Sequence, residues 1–321
     1  MRPFKLVPDD TNVPFLSYRW IALTVSIIVM LGSVILVGVN GLNFGIDFVG
    51  GQMFRVQFEK PVNVDSLRTR INGLGLGEAS IQQFGSDKQF SIRMQLPKGG
   101  EAAANKAADK VKAAVKADHA DARFDNVETV SGKVSEELLQ SGGLALALAM
   151  LGISLYIWFR FEWQFGVGAL VTLFHDVIIT FGFFALTRLE FNLNVVAAVL
   201  TIIGYSLNDT IIVYDRIREN LRKWRKMDIK SLLDLSVNET LSRTIVTSLS
   251  MILTLTVLLL LGPDVSFGFT AAMLLGIVIG TFSSIYISAP ILIWLNVGSD
   301  SFVPEGADTK GERVPAEGFV K

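Results

Sequence analysis

The stretch of residues 191–214, FNLNVVAAVLTIIGYSLNDTIIVY, decides what kind of protein this chain is. It is apolar enough, and at about 1.5 Å per residue long enough, to cross a lipid bilayer as a helix. Its one charged side chain is Asp209. A carboxylate in a membrane helix costs roughly 2.5–3.5 kcal/mol on insertion scales. Because a chain tolerates that cost when the group has a partner, a cavity or a function, Asp209 is the first candidate functional residue.

The composition extends this reading to the whole chain. Hydrophobic residues make up 50% and charged residues only 18%, so with recurring apolar runs the class is a polytopic α-helical membrane protein. A net charge of −1 argues against nucleic acid as a partner. With no cysteine and only two histidines, we predict neither a metal site nor a cofactor. No phosphate loop or nucleophile–base set is present, so we predict no enzymatic activity.

Six spans account for the apolar runs. We place them at residues 20–39, 138–159, 163–187, 191–214, 241–261 and 266–295. The first is long and has no cleavage site after it, which predicts a permanent span rather than a signal peptide. Pro290 is expected to kink the last one.

The distribution of Lys and Arg predicts the orientation. Seven basic residues lie in the segment 215–240, whereas the short loops on the opposite side hold only Arg188. We therefore expect cytoplasmic segments at 1–19, 215–240 and 296–321, and a periplasmic segment at 40–137. The basic segment is expected to form an amphipathic helix at the lipid surface, with docking of a cytoplasmic partner as the alternative. The polar tail 296–321 is predicted to be disordered.

The segment 40–137 has the pattern of a small α+β domain. Residues 52–58 alternate between polar and apolar, which indicates a strand, and residues 63–71 form a helix candidate capped by Asn63. A hairpin over 80–96, an Ala/Lys-rich helix over 101–116 and a strand over 122–130 follow. The order β-α-β-β-α-β predicts a ferredoxin-like unit.

Polar side chains form stripes on the fourth and fifth spans. In the fourth span, Ser206 and Asp209 adjoin a row made of Thr201, Tyr205 and Asn208; in the fifth, the row is Arg243, Thr247, Ser250 and Thr254. Since lipid would reject both stripes, we expect them to face each other and to bring Asp209 and Arg243 together. Such a pair suits a carboxylate that alternates between an arginine-paired and a protonated form. The alternative is a static ion pair that holds two helices together.

Two further groups are candidates within the spans. His175 and Asp176 lie near the middle of the third span, where they suit either a proton relay or a hydrogen-bonded packing pair. In the sixth span, small residues recur every four positions, which favours close helix packing over chemistry: Gly276, Gly280, Ser284 and Ser288.

The first span is followed by residues 45–51, GIDFVGG. Gly45, Gly50 and Gly51 indicate tight backbone turns around Asp47. From the residues alone, a plain linker explains this segment equally well.

Together these pieces resemble the SecF family of membrane subunits of the SecDF protein-export complex. The resemblance rests on GIDFVGG at 45–51, on His175-Asp176, on YSLNDTIIVYDRIREN at 205–220 and on LSRT at 241–244, and it covers roughly residues 15–297. It implies one six-helix half of a core of the RND transporter superfamily. It also implies that Asp209 and Arg243 belong to the proton pathway.

The expected function and partners follow from the resemblance. With a SecD-like subunit beside the SecYEG channel, the chain is expected to use the proton motive force to draw unfolded preproteins across the bacterial inner membrane. YajC and membrane lipid are further expected partners. Two alternatives stay open: a proton-coupled exporter of lipids or small molecules from the same superfamily, and a scaffold subunit without a proton role.

Overall fold

The chain folds into two compact units. The computed structural model describes residues 8, 11–77, 79–83, 87–97, 100–125, 127–263 and 266–298. The membrane unit comprises the chain up to Asn43, Leu146–Leu189 and the chain from Asn194 on, and the sheet unit comprises Phe44–Ala145 and Glu190–Leu193. The predicted tail beyond residue 298, and the first seven residues, lie outside the described part.

Helices dominate both units. In chain order the elements are α1 (Arg19–Asn40), α2 (Ile46–Val49), β1 (Gly51–Gln57), α3 (Val64–Asn72), β2 (Ser80–Gln83), β3 (Gln89–Met94), α4 (Gly100–Asp118), β4 (Arg123–Phe124), β5 (Glu128–Val130), α5 (Gly132–Arg160), α6 (Trp163–Thr187), α7 (Leu193–Lys223), α8 (Ile229–Leu261), α9 (Phe267–Tyr286) and α10 (Ser288–Trp294). Among the described residues, six helical stretches are long and apolar enough to cross a membrane: α1 with the turn before it, α5, α6, α7, α8, and α9 with α10. The fold class is therefore that of a polytopic membrane protein with a small sheet domain.

The cytoplasmic helix that we predicted within 215–240 does not exist as a separate element. Instead, α7 continues to Lys223, and α8 begins at Ile229 after a short turn. No proline or glycine interrupts residues 214–223, so nothing in the sequence ends α7 where its apolar run ends. Asp228 is the N-cap of α8, and its carboxylate accepts hydrogen bonds from the backbone N–H groups of Lys230 and Ser231.

The last span is interrupted, as Pro290 predicts. Helix α9 ends at Tyr286 and α10 begins at Ser288, with Ile287 between them. Proline has no N–H to donate to the carbonyl of the residue four positions earlier, here Tyr286, and its ring crowds that carbonyl. The break thus lies one turn before the proline that causes it.

The sheet unit has the strand order expected of a ferredoxin-like fold. The order is β2-β3-β1-β4, every pairing is antiparallel, and β5 also pairs with β1. Phe54 lies opposite Ile92 and Val56 opposite Phe90 in the register, and all four side chains are buried. The alternation read from residues 52–58 therefore marks the core face. The strand predicted over 122–130 is divided into β4 and β5.

Small residues bring the helices of the membrane unit close together. A Cβ added to Gly182 of α6 would lie 2.7 Å from the Cα of Ser33 in α1, so these two backbones touch where no larger residue fits. Tyr214 of α7 is fully buried against Phe165, and its hydroxyl donates to the carbonyl of Ser288 at 3.1 Å. Outside these contacts many large apolar side chains are exposed, as a lipid-facing surface requires.

Candidate functional site

Asp176 is the centre of a buried polar cluster that joins three helices. Its Oδ2 accepts hydrogen bonds from the hydroxyl of Ser206 on α7 at 2.5 Å and from that of Ser283 on α9 at 3.0 Å. Its Oδ1 lies 2.9 Å from Nδ1 of His175. All four side chains are buried. A carboxylate with this many partners is held in one position, and it ties α6, α7 and α9 together.

The rest of the polar row on α6 is satisfied by its own helix. Thr172 donates to the carbonyl of Gly168 at 2.9 Å, and Thr180 donates to that of Asp176 at 2.8 Å. Both threonines are fully buried. Thr172, Asp176 and Thr180 thus form a buried polar row on α6, and Asp176 is the member that bonds to other helices.

Asp209 lies one turn along α7 from Ser206 and is 1% exposed. Its Oδ2 is buried and has no hydrogen-bond partner among the residues that the structure describes. Residues three apart lie on the same side of a helix, so Asp209 follows the cluster around Asp176 along one face of α7. Asp176 is thus a fully partnered carboxylate, and Asp209 is one with an open acceptor.

Arg243 does not pair directly with Asp209. Its charge is near enough to act on Asp209 electrostatically, yet in the described part of the chain no hydrogen bond or ion pair joins the two side chains. The prediction that the two polar stripes face each other is wrong, because the row on α8 is exposed along its length. Its hydroxyls bond to their own backbone instead: Thr247 donates to the carbonyl of Arg243 and Thr254 to that of Ser250, both at 2.9 Å.

One member of the predicted α7 row, Tyr205, makes a polar contact with α8, but with a residue outside the predicted α8 row. The hydroxyl of Tyr205 lies 3.1 Å from that of Ser248, which in turn lies 2.7 Å from the hydroxyl of Thr281 on α9. The predicted stripe on α7 is divided: Ser206 and Asp209 are buried, whereas Thr201 and Asn208 are exposed. Asn208 therefore lies on a different face from the cluster around Asp176.

His175 offers a second open position in the buried cluster. Its Nδ1 faces Asp176, while its Nε2 is buried without a hydrogen-bond partner in the described residues. An imidazole held at one nitrogen can accept or release a proton at the other. Nε2 of His175 and Oδ2 of Asp209 are thus both buried polar atoms that lack a hydrogen-bond partner in this part of the described chain.

The small-residue row of the last span packs against α7. A Cβ on Gly276 would lie 2.4 Å from the side chain of Ile202, and one on Gly280 would lie 3.2 Å from Cβ of Ser206. Ser284 and Ser288 are buried further along the same row, where each hydroxyl donates to a backbone carbonyl. This close approach allows Ser283, next to the row, to reach Asp176.

Sequence reasoning missed Ser283 and Tyr214. Ser283 follows Gly280 by three residues, so its position beside a small-residue row was the available signal. Tyr214 carried no comparable signal, because an aromatic residue at the end of an apolar run is common in membrane proteins. No group of three or more His, Cys, Asp or Glu side chains in the part of the chain that the structure describes is arranged to hold a metal ion. Gly45, Asp47, Gly50 and Gly51 lie in the sheet unit.

Comparison with known families defines the class. The C-terminal family of protein export membrane proteins SecD/SecF matches residues 110–298, and the SecD/SecF GG motif matches residues 35–62. A crystal structure of SecDF, a translocon-associated membrane protein from Thermus thermophilus, matches with a TM-score of 0.83 and 33% identity. SecDF in its Super-membrane-facing form matches with a TM-score of 0.67 and 34% identity. The chain is thus a protein-export membrane protein of the SecD/SecF class.

The individual relatives show which of the two families in this class the chain belongs to. The protein translocase subunits SecF of Rickettsia rickettsii and Rickettsia prowazekii are 41% and 40% identical to this chain over 291 residues, which is 90% of the chain and 94% and 93% of the two relatives. The chain belongs to the SecF family of protein translocase subunits. It covers 40% of the length of each of the two SecDF chains, and those matches take in 92% of this chain.

Proposed function

We propose that this translocase subunit works with a SecD-like partner, and that the pair uses the proton motive force to promote preprotein translocation across the bacterial inner membrane beside the SecYEG channel. Both termini would be cytoplasmic and the sheet unit periplasmic, as the excess of basic residues in 215–240 over the opposite loops suggests. YajC and lipid are further proposed partners. The proposal includes no catalysed covalent step.

The open oxygen of Asp209 is the observation that carries the proposal. A buried carboxylate without a hydrogen-bond partner is unfavourable when ionised, and protonation relieves that cost. A purely structural carboxylate is expected to resemble Asp176 instead, with its oxygens occupied. Asp209 is therefore the group in the membrane unit best suited to take up and release a proton.

Arg243 supplies a counter-charge that can vary with conformation. Because it acts on Asp209 without a direct ion pair, a small helix movement changes the strength of their interaction. Approach of the guanidinium favours ionised Asp209, and withdrawal favours the protonated form. Moving one charge through 100 mV is worth about 2.3 kcal/mol, which is enough to bias a conformational equilibrium of a few kcal/mol.

The exposed row on α8 gives a reason for a second subunit. Arg243 lies on a lipid-accessible face when this chain is taken alone, and an arginine facing lipid is costly. A partner helix that covers the row would remove that cost and would stand close to Asp209. We propose that the SecD-like subunit supplies this helix.

The test uses inverted membrane vesicles that contain this chain, its SecD-like partner and the channel. We expect Asp209→Asn to abolish the gradient-dependent part of preprotein translocation, because the amide cannot take up the proton. Asp215→Asn is the matched control, since Asp215 lies on the same helix but is exposed and bonded to Arg160 at 3.1 Å. Co-purification with the partner establishes that each variant assembles.

Normal gradient-dependent translocation by an assembled Asp209→Asn variant would contradict the proposal and would leave a scaffold role. Loss of translocation with both Asp209→Asn and Asp215→Asn would also count against it, because the effect would then not be specific to the buried carboxylate.

A further inference from the structure

The GIDFVGG segment contains a short helix between tightly constrained glycines. Helix α2 is followed by Gly50 with φ 70° and Gly51 with φ 126°, a backbone conformation that residues with a Cβ rarely adopt. A Cβ on Gly51 would also lie 2.5 Å from the carbonyl oxygen of Met94. These two glycines are therefore explained by the entry into β1. The entry into β1 does not explain the presence of Gly45 and Asp47.

Asp47 bonds to the first residue of a membrane helix. Its Oδ2 accepts a hydrogen bond from the backbone N–H of Leu193 at 2.9 Å, across 146 residues of sequence. Leu193 begins α7, and it belongs to the same compact unit as Asp47. The first N–H groups of a helix have no partner within it, and a carboxylate there is also favoured by the helix dipole. Asp47 therefore acts as a cap for α7 that is supplied by a distant part of the chain.

Several neighbouring contacts hold residues 190–193 against residues 44–48 within the sheet unit, and we call this set of contacts the joint. The N–H of Gly45 donates to the carbonyl of Phe191 at 2.9 Å, and Phe44 pairs with Phe191 in a parallel β-bridge. The rings of Phe44, Phe48 and Phe191 pack with centroids 5.9–6.1 Å apart. The guanidinium of Arg93 on β3 donates to the carbonyl of Phe44. The residues leading into α7 are thus fixed to the sheet by backbone, ring and side-chain contacts together.

Glu190 completes the joint and explains Gly45. A Cβ on Gly45 would lie 2.4 Å from Oε1 of Glu190 and 3.1 Å from Cβ of Asn192, so a larger residue at position 45 would require both side chains to move. Oε1 is buried and has no hydrogen-bond partner in the described part of the chain. Glycine at position 45 therefore gives the segment 190–193 the space to lie against the segment that carries Asp47.

We propose that Asp47 is a positioning residue that fixes the N-terminus of α7 to the sheet unit, so that displacement of this helix is transmitted to that unit. The inference rests on the proposed function in one respect only: α7 is the helix that carries Asp209. Because α7 is continuous from Leu193 to Lys223, a shift of the helix when Asp209 changes its proton state reaches the N–H group that Asp47 holds. GIDFVGG is then a mechanical joint rather than a plain linker.

Hydrogen–deuterium exchange tests the cap directly. In the assembled complex with the SecD-like partner, we expect Asp47→Ala to raise exchange at the first turn of α7 about tenfold, while Asp47→Asn, which keeps an acceptor oxygen, stays close to wild type. Asp65→Ala is the matched control, because Asp65 is an exposed aspartate in the first turn of α3 that bonds to Arg68 at 2.7 Å. Unchanged exchange in Asp47→Ala would overturn the cap.

Translocation and cross-linking test the coupling. We expect Asp47→Ala to lose most of the gradient-dependent translocation while it still assembles, and Asp47→Asn to restore most of it. The chain contains no cysteine, so Phe44→Cys with Phe191→Cys introduces a unique pair at bridge partners. Oxidation of this pair in the Asp47→Ala background is expected to recover translocation, and reduction to remove it again.

Two results would overturn the joint. One is normal translocation by Asp47→Ala despite faster exchange at α7. The other is loss of translocation when the cross-link forms in the otherwise unchanged protein, because the joint would then have to open during translocation. Failure of the proposed function is distinguishable from both. In that case Asp209→Asn would translocate normally, while the exchange data would still decide whether Asp47 caps α7.

Discussion

Two polar rows on membrane helices look alike in the sequence and differ completely in the structure. On α6, Asp176 and the threonines one turn to either side are buried, and Asp176 bonds to two other helices. On α8, the row that begins with Arg243 is exposed, and its hydroxyls bond to carbonyls of their own helix. The first row connects α6 to α7 and α9 through Asp176. The second row makes no hydrogen bond to another helix among the described residues.

The difference shows which structural information the helical periodicity of a sequence contains and which it lacks. A repeat of polar residues at three and four positions fixes that they share a face. It does not fix which neighbour that face meets, because a hydroxyl in a helix can satisfy itself on the carbonyl four residues earlier. Only a group that cannot do so, such as the carboxylate of Asp176, forces another helix to approach.

The largest loss of stability is expected when the hydrogen bonds of the α6 row are removed. Asp176→Ala removes the acceptor of Ser206 and Ser283 and leaves both hydroxyls buried, so we expect the chain to lose on the order of 3 kcal/mol of stability, at about 1–2 kcal/mol per interhelical hydrogen bond. Asp176→Asn keeps an oxygen acceptor and should lose less. Thermal unfolding of the purified chain in detergent measures both.

Thr254→Val on the α8 row is the matched control for that measurement. Among the described residues its hydroxyl bonds to the carbonyl of Ser250 within its own helix, so we expect a change within about 0.5 kcal/mol. Equal destabilisation by Asp176→Ala and Thr254→Val would show that the two rows do not differ in the way their burial indicates.

The same contrast explains how far the sequence predicts this molecule. The strand order follows from patterns within 40–137, and the approach of α9 to α7 follows from the row of small residues, because these depend on local periodicity. The apolar run ends at Tyr214, which predicts the end of the span but not the end of the helix, and α7 continues to Lys223. Asp228 is the sequence signal for the start of α8 at Ile229, well before the predicted span at 241.

The candidate site was predictable only in part. Asp209, Asp176 and His175 stand out because charged groups are rare in apolar stretches. Their partners do not: Ser283 reaches Asp176 from 107 residues away. The expected contact between Asp209 and Arg243 is absent from the described residues for the same reason, since a polar stripe on each helix does not determine which neighbour it faces.

A smaller effect is expected when the α8 row is altered. Arg243→Gln should leave the stability of the isolated chain within about 0.5 kcal/mol of wild type, because its side chain is exposed. If the SecD-like partner covers the row, affinity for that partner should fall about tenfold, or about 1.4 kcal/mol. The measurement is binding of the purified partner in detergent or nanodiscs.

Lys230→Gln is the control for the partner measurement, since it removes an exposed positive charge from the first turn of the same helix. Weakened binding with both variants would indicate a general charge effect. Unchanged binding with Arg243→Gln would mean that another surface meets the partner.

The smallest expected effect concerns a carboxylate in the sheet unit that, unlike Asp176, has an unoccupied buried oxygen. Burial raises the pKa of Glu190, and the nearby carboxylates of Asp47 and Glu128 add to the shift, while the guanidinium groups of Arg55 and Arg93 oppose it. The folded state therefore binds the proton more tightly than the unfolded chain does. Stability should fall as the pH rises from the ordinary glutamate pKa of about 4.3 to the raised value, by at most about 1.4 kcal/mol per pH unit.

Glu190→Gln cannot ionise, so it should lose this dependence and unfold at a higher temperature than wild type above that pH window. The measurement is the difference in unfolding temperature between variant and wild type from about pH 4 to about pH 8, a range that covers the titration of a shifted glutamate. Glu137→Gln, an exposed glutamate of the same unit, should show no such trend. A constant difference across the range would mean that the pKa of Glu190 is the same in the folded and unfolded states, with Arg55 and Arg93 balancing its burial. The contacts around Asp47 would then not respond to pH through Glu190.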